Sequence, residues 1–524
     1  MTTSNAPVLR TLARRLALLA AALVLAGCAA LPSGVERPVS HARADAADST
    51  LGRIATASTP SDDPALSGFR LLADGDEAFD ARIALAGRAE KTIDAQYYLI
   101  ANDRTGREFL RALDAAAARG VRVRILVDDL YATGEDSLFA GLASHANVEV
   151  RLFNPLAVRG GSFAARLALS LNDLARINHR MHNKLFIADN SFAITGGRNI
   201  ADEYFGRSGG ANFIDMDLLS SGAVVAELAQ VFDSFWNSPY VYPAQSLARG
   251  ARGESDAADR RGRGDAAAAP ADVVARSSGP IATELARGHV TQRFAPARVL
   301  ADAPAKIDDN DPGRADGPVM RAHLELFASA RSSVLIASPY FVPGVDGLAA
   351  LREARAHDVR FMVMTNSLAT TDEPLVHFGY ARYRLGLLKL GVGLHELMPM
   401  QDESAGDDGG EHHGASLGRL HAKLVVVDDR WVSIGSMNMD RRSARCNTET
   451  AIVIDDPVLA GEVSAFLERG RLSGSYALRL GGDGEHVEWV GHGGGAVVKN
   501  EPRPSSRAGL KPRLAAFFLS EDML

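Results

Sequence analysis

The chain has 524 residues, enough for two domains that each bury a core of their own. It carries 57 Lys and Arg against 64 Asp and Glu, a net charge of −7. Arg10, Arg14 and Arg15 are the only charged side chains before residue 28, so the remainder stands at −10 (−7 less +3). Enzymes of nucleic acid advertise a basic face to the phosphate backbone, so the acidic balance argues against a nucleic-acid partner.

The three arginines precede an apolar run at 16–26 that closes on Leu25, Ala26, Gly27 and Cys28. Such a run, at about 1.5 Å per residue, falls short of a hydrocarbon core about 30 Å thick. Basic, apolar and small residues in that order read as a secretory signal over 1–27. Leu25-Ala26-Gly27-Cys28 resembles the bacterial lipobox, which implies cleavage before Cys28 and lipidation of its sulfur. Cys446, the other cysteine, is then left without a disulfide partner and reads as a packed small residue. Residues 28–66 are rich in Ala, Ser, Pro, Asp and Arg without a sustained period, and are expected to be a flexible tether.

The first domain is expected over 67–243. Within it 78–89 reads as helix, 92–99 as strand, 106–119 as helix stopped by Gly120, and 121–127 as an alternating strand. Residues 148–153 and 216–219 add strands, and Val225, Leu228, Phe232 and Phe235 mark the buried stripe of a helix. Strand, helix, strand in this order argues a parallel sheet with right-handed crossovers. A low-complexity linker is expected over 244–290, and a second domain with a tail over 291–524. There the programme repeats, with helix at 323–330, strand at 334–340, helix at 347–356, strand at 359–365 and one long helix at 374–390. A strand at 450–454 and a helix opened by Pro457 follow. The loop 401–416 holds acids with His412 and His413, but ligand types in a Gly-rich run are more often solvated than metal-bound.

Shared element order points to duplication, and one stretch makes it specific. His182, Lys184, Asp189, Gly196 and Asn199 recur as His421, Lys423, Asp428, Gly435 and Asn438 at identical offsets. Four apolar residues between Lys and Asp suit a strand buried on both faces, with His and Lys on one side of the chain just before it. Imidazole can attack phosphorus or relay a proton, and an ammonium is a point charge for a phosphate oxygen. Two such pairs facing each other supply a nucleophile, a general acid and a cationic clamp on a phosphodiester.

The paired pattern resembles the duplicated signature of the phospholipase D superfamily. The stretch from Thr365 to Arg384, with Glu501 and Pro502, resembles the third, lipoprotein-like type of bacterial cardiolipin synthase. The resemblance implies an α/β fold in which two similar domains pack with pseudo-twofold symmetry around one cleft. It makes His182, Lys184, His421 and Lys423 catalytic, with Asp189 and Asp428 completing the motif but serving structure more than chemistry. Asn199, Asn438 and Ser436 become phosphate ligands, though Gly197 stands where the second copy has Ser436. Asp215 and Glu449 become the acids that orient the histidines. His179 and Arg180, just ahead of the motif, are candidate cleft residues with a structural alternative.

The implied activity is phosphatidyl transfer between phospholipids through a phosphohistidine on His182. Phosphatidylglycerol is the expected acceptor, phosphatidylethanolamine a further candidate donor, and no cofactor or metal is implied. Hydrolysis to phosphatidic acid, a non-catalytic lipid-binding lipoprotein and a periplasmic nuclease are the alternatives, the last two disfavoured by intact His–Lys pairs and by acidic charge. The expected location is the bacterial cell envelope, anchored through Cys28 to the outer membrane and facing the periplasm.

Overall fold

A computed structural model describes residues 31–503 apart from 44, 46–47, 61–62, 64, 133–138, 140–141, 143–144, 160–165, 167–173, 249–278, 309–315, 400–417, 492–494 and 496. Cys28 and the loop at 401–416 lie outside the described residues, as does the tail beyond 503. Among the described residues no helix is long and apolar enough to cross a membrane.

Nine strands build the first half: β1 Leu66–Leu72, β2 Thr92–Tyr97, β3 Arg122–Asp128, β4 Val148–Phe153, β5 Leu185–Ala188, β6 Phe192–Gly196, β7 Asn212–Ile214, β8 Asp217–Gly222 and β9 Val241–Pro243. Their pairings run β1-β8-β6-β5-β2-β3-β4-β9, with β7 outside this sheet. The second half supplies β10 Arg293–Ala301, β11 Ser333–Ala337, β12 Arg360–Asn366, β13 Gly393–Leu397, β14 Gly418–Leu420, β15 Leu424–Val427, β16 Trp431–Gly435, β17 Thr450–Asp455 and β18 Ser475–Leu480. They pair as β10-β17-β16-β15-β11-β12-β13-β18, the same order and the same directions. The fold is a duplicated α/β domain.

The sheets are mixed, which corrects the expectation of parallel ones. Only β2-β3-β4 and β11-β12-β13 run parallel. Each motif strand instead opens a tight hairpin with three residues between the paired strands, β5 to β6 and β15 to β16. The turn residues Asp189 (φ 48°) and Asn190 (φ 46°), like Asp428 (φ 55°) and Asp429 (φ 51°), are left-handed, as a tight hairpin with matching twist requires.

The sheets join edge to edge where β1 pairs antiparallel with β10. One apolar core then runs through both halves: Phe69, Phe232 and Trp236 belong to the same cluster as Leu424, Ile454 and Val463. The helices Ala223–Trp236 and Pro457–Gly474 supply much of it. Separate cores cover the outer face of each sheet.

Two further expectations change. The region expected as a tether contains ordered chain laid on the first domain. Arg37 Nε donates to Val241 O at 2.6 Å, Arg151 Nη2 to Pro38 O at 2.6 Å and Arg124 Nη1 to Ser40 O at 3.0 Å. Ser49 caps a helix, Thr50–Ser58, that buries Leu51 and Ile54. The long helix at 374–390 is two, Pro374–Ala381 and Arg384–Lys389. The break lets Arg384 reach Glu396 (2.7 Å) and Glu501 (2.7 Å), with His377 also on Glu501 at 3.0 Å. Two stretches far apart in sequence thus meet in one buried polar cluster.

Candidate active site

The histidines are seated by strand pairing between the halves. Met181 bridges Thr448 in parallel, and His182 N donates to Thr448 O at 2.9 Å. On the other side β14 pairs parallel with β7, and His421 N donates to Ile214 O at 2.8 Å. Each bridge leaves a histidine on one chain beside the acid that comes next on the other. His182 Nδ1 therefore meets Glu449 at 3.0 Å, and His421 Nδ1 meets Asp215 Oδ2 at 2.7 Å. Each of the two motif histidines is oriented by an acid of the opposite half, and the Nε2 atoms are left for chemistry.

Lys184 Nζ donates to His182 O at 2.7 Å, and Lys423 Nζ to His421 O at 2.6 Å. The charge of Lys423 is felt by both His182 and Lys184, so the two motifs share one cleft. Burial first, then Lys184, Lys423 and Arg442, holds His182 well below the usual imidazole range. Burial and Lys423 lower His421 to about 4, with Asp215 acting in the opposite sense.

The acids differ more sharply. Burial pushes Glu449 up to about 7, only partly relieved by Lys184. Burial also works against ionised Asp215, but the hydrogen bond and charge of His421, with Lys423 and Arg198, win and hold it at about 2. His421 thus faces a carboxylate, and His182 an acid protonated over much of the neutral range.

Arg198 explains the fixed position of Asp215. Its guanidinium donates to Leu72 O, Ala73 O, Tyr204 O and Asp215 O. Gly197 is required by the same acid, since a Cβ there would lie 2.2 Å from Asp215 Oδ1. In the second half Ser436 fills the equivalent place and is corrected from the phosphate ligands: its hydroxyl donates to Glu449 Oε2 and accepts from Thr450 N at 3.1 Å.

The motif aspartates are likewise away from the chemistry, at the hairpin turns. From Lys184 the five residues to Asp189, at about 3.3 Å each, put its Cα roughly 16 Å away. Asp189 accepts from the backbone N–H of Glu90, Lys91 and Thr92, and Asp428 from those of Arg331, Ser332 and Ser333. Both belong to the scaffold. Asp189→Ala is expected to lower stability by roughly 2–4 kcal/mol through those unmet donors, while folded enzyme keeps its kcat; denaturant unfolding beside active-site titration checks this.

Asn199 and Asn438 are buried, and each has an Oδ1 with no hydrogen-bond partner among the described residues. Asn199 Nδ2 donates to Tyr204 Oη at 2.9 Å, and a rotated amide would accept from that hydroxyl and turn its N–H to a phosphate oxygen. His179 is structural, with Nδ1 at 2.8 Å from Ile307 O, and Arg180 pairs with buried Asp128 at 3.0 Å.

Residues without a sequence signal complete the walls. Tyr98 stands edge-on to His182, with ring centroids 5.3 Å apart. Tyr204 and Phe213 flank His421 at 5.0 and 4.8 Å. Aromatic residues are common in cores, and nothing in their spacing marked these three.

Two domains of this topology, joined so that paired His and Lys residues share a cleft, define the phospholipase D class. The family described as "Cardiolipin synthase, PLD-like domain" matches residues 83–236 and 324–470. Cardiolipin synthase C of Escherichia coli (strain K12) is 35% identical over 482 residues, covering 90% of this chain and 100% of that protein. Cardiolipin synthase of Geobacillus kaustophilus (strain HTA426) is 28% identical, covering 72% of this chain and 61% of its own length. In fold the chain is similar to the crystal structure of phosphatidylserine synthase from Haemophilus influenzae Rd KW20, with TM-score 0.52 and 14% identity over 82% of this chain and 92% of that one. The chain belongs to the cardiolipin synthase family of phospholipase D-like proteins and is an enzyme of the phosphatidyltransferase type.

Proposed function

We propose that the protein moves a phosphatidyl group from one membrane phospholipid to an alcohol of another through a phosphohistidine, with phosphatidylglycerol as acceptor and phosphatidylglycerol or phosphatidylethanolamine as donor. The two histidines, each oriented by an acid of the opposite half and set in one cleft with Lys184 and Lys423, are the observation that carries this reading. His182 Nε2, held neutral, attacks phosphorus; a P–N bond forms and the P–O bond to the headgroup alcohol breaks. His421 gives its Nε2 proton to the departing alkoxide. Ionised Asp215 supports the imidazolium, and the charge of the bound phosphodiester adds to that support. Next, His421 takes the proton of the acceptor hydroxyl, whose oxygen attacks phosphorus as the P–N bond breaks. Lys184, Lys423, Asn199 and Asn438 hold the oxygens on which charge develops.

Lys423 adds a second alkaline limb to the one set by deprotonation of His421. Burial lowers it to about 8, so kcat/KM, which reports free enzyme, is expected to fall more steeply as pH rises through about 8. Bound phosphate favours the ammonium, so the same limb in kcat sits higher. A pH–rate series with equal limbs in both parameters would remove Lys423 from phosphate binding.

The setting proposed for this chemistry is the bacterial cell envelope, with lipidated Cys28 holding the enzyme at the outer membrane on its periplasmic side. A tethered enzyme meets its two-chain lipid in the bilayer instead of extracting it, which costs about 0.8 kcal/mol per CH₂. Cys28→Ser is expected to spare hydrolysis of a short-chain soluble phosphodiester and to reduce cardiolipin in cells. Equal loss of both would contradict a placing role. For the reaction itself, purified protein is given labelled phosphatidylglycerol with and without phosphatidylethanolamine. Cardiolipin as product supports transfer; phosphatidic acid alone would make the enzyme a hydrolase.

A further inference from the structure

The two halves carry opposite charges at equivalent places. Four residues past each motif asparagine the first half has Glu203 and the second has Arg442. Arg442 lies in the short helix Arg441–Arg445, where its carbonyl accepts from Cys446 N at 2.8 Å and Asn447 N at 2.9 Å. Asp440, the nearest acid in sequence, caps Ser443 N at 2.7 Å and acts on Arg442 through its charge, without an ion-pair contact. The Arg442 side chain forms no ion pair among the described residues, and its buried Nε has no hydrogen-bond partner. A guanidinium presents five donors in a rigid fork, and leaving buried donors unmet is costly, so this one is suited to a ligand.

A second group beside it has the same character. Asn447 is 8% exposed, and its buried Oδ1 has no partner among the described residues. Its amide can turn an N–H toward whatever Arg442 holds. The placement is one-sided: the charge of Arg442 reaches His182 and Tyr98. On the His421 side the charge of Asp372 reaches His421 and Glu203, while Glu373 feels both Asp372 and Arg442. An anion entering the cleft therefore meets an unmet guanidinium donor on the His182 side.

We propose that Arg442, assisted by Asn447, is a further catalytic residue that binds a non-bridging oxygen of the reacting phosphoryl group on the His182 side. This rests on the phosphoryl-transfer reading above. The fork suits two oxygens of a phosphate ester, and Glu203 leaves the first half without an equivalent cation. The contact biases the phosphorus toward the nucleophile and helps to keep His182 neutral.

The test compares full-length wild type, Arg442→Gln and Arg442→Lys, each checked for an unchanged thermal unfolding midpoint. Calorimetric titration with tungstate, a tetrahedral oxyanion, is one readout; rates of hydrolysis and of transfer on the same lipid are the other. Gln is expected to weaken tungstate at least tenfold, about 1.4 kcal/mol, and to cut both rates by one common factor, because both pass through the same oxyanion. Lys, which keeps the charge and loses the fork, should fall between. Unchanged tungstate affinity would overturn the proposal, as would a loss confined to transfer, which would put Arg442 on the acceptor alcohol. Tungstate binding that depends on Arg442 in a protein with no activity on phospholipids would sustain the subsite and defeat the functional reading.

Discussion

Replacing His182 by Asn should abolish turnover of every phosphodiester, whereas His421→Asn should fail selectively. A nucleophile is needed whatever group departs, so the His182 variant loses the covalent route altogether. General acid catalysis matters in proportion to the basicity of the leaving oxygen and is worth roughly 10²–10⁴-fold. A lipid headgroup alcohol needs that proton; a nitrophenolate does not. His421→Asn is therefore expected to lose roughly 10²–10⁴-fold on phospholipid and far less in the burst of nitrophenol from an activated diester. Equal defects of the two variants on both substrates would refute the division of labour.

The crossed acids lead to the second large effect. Asp215→Asn removes a carboxylate that is ionised and 2.7 Å from His421, and stabilises the wrong tautomer, for an expected loss of roughly 10²–10⁴-fold in kcat. Glu449→Gln should cost only about tenfold, because Glu449, raised to about 7, is already protonated in much of the population. Stability carries the same signature. A carboxyl group at 4.5 when unfolded and about 7 when folded binds its proton more tightly in the native state. Its contribution is full below 4.5 and is lost as pH rises toward 7, at about 1.36 kcal/mol per unit. Glu449→Gln should flatten that slope, and equal kinetic losses from the two acid variants would remove the asymmetry.

What could be read from the chain was whatever repeats or keeps a local period. The motif strands β5 and β15, the helices beginning at Gly75 and Arg104, and the strands β2, β3 and β4 declared themselves through local apolar patterns and matched offsets. The elements that were missed depend on distant partners. β1 and β10 exist as edges of two sheets that complete each other. The segment from Arg37 to Ser58 gains order from Arg124, Arg151 and Val241, which no local pattern announces.

At the site, residue types were legible but their partners were not. The family resemblance could name Asp215 and Glu449, yet not that each crosses to the histidine of the other half. That assignment is made by the Met181–Thr448 and Leu420–Ile214 pairings. The family resemblance names Ser436 as a phosphate ligand. In the fold it is taken up by Glu449. Arg442 stood among Arg441 and Arg445 with nothing in the sequence to separate it from them, and only its lack of a partner does so.

Acid-stable trapping is not suited to a phosphoramidate, so the decisive measurement is an alkaline quench of enzyme with labelled phospholipid, followed by mapping of the labelled peptide. The account predicts one phosphorylated peptide, containing His182, whose label is chased by phosphatidylglycerol into cardiolipin. Label on the peptide containing His421, or product formed with no labelled peptide at any time, would contradict it.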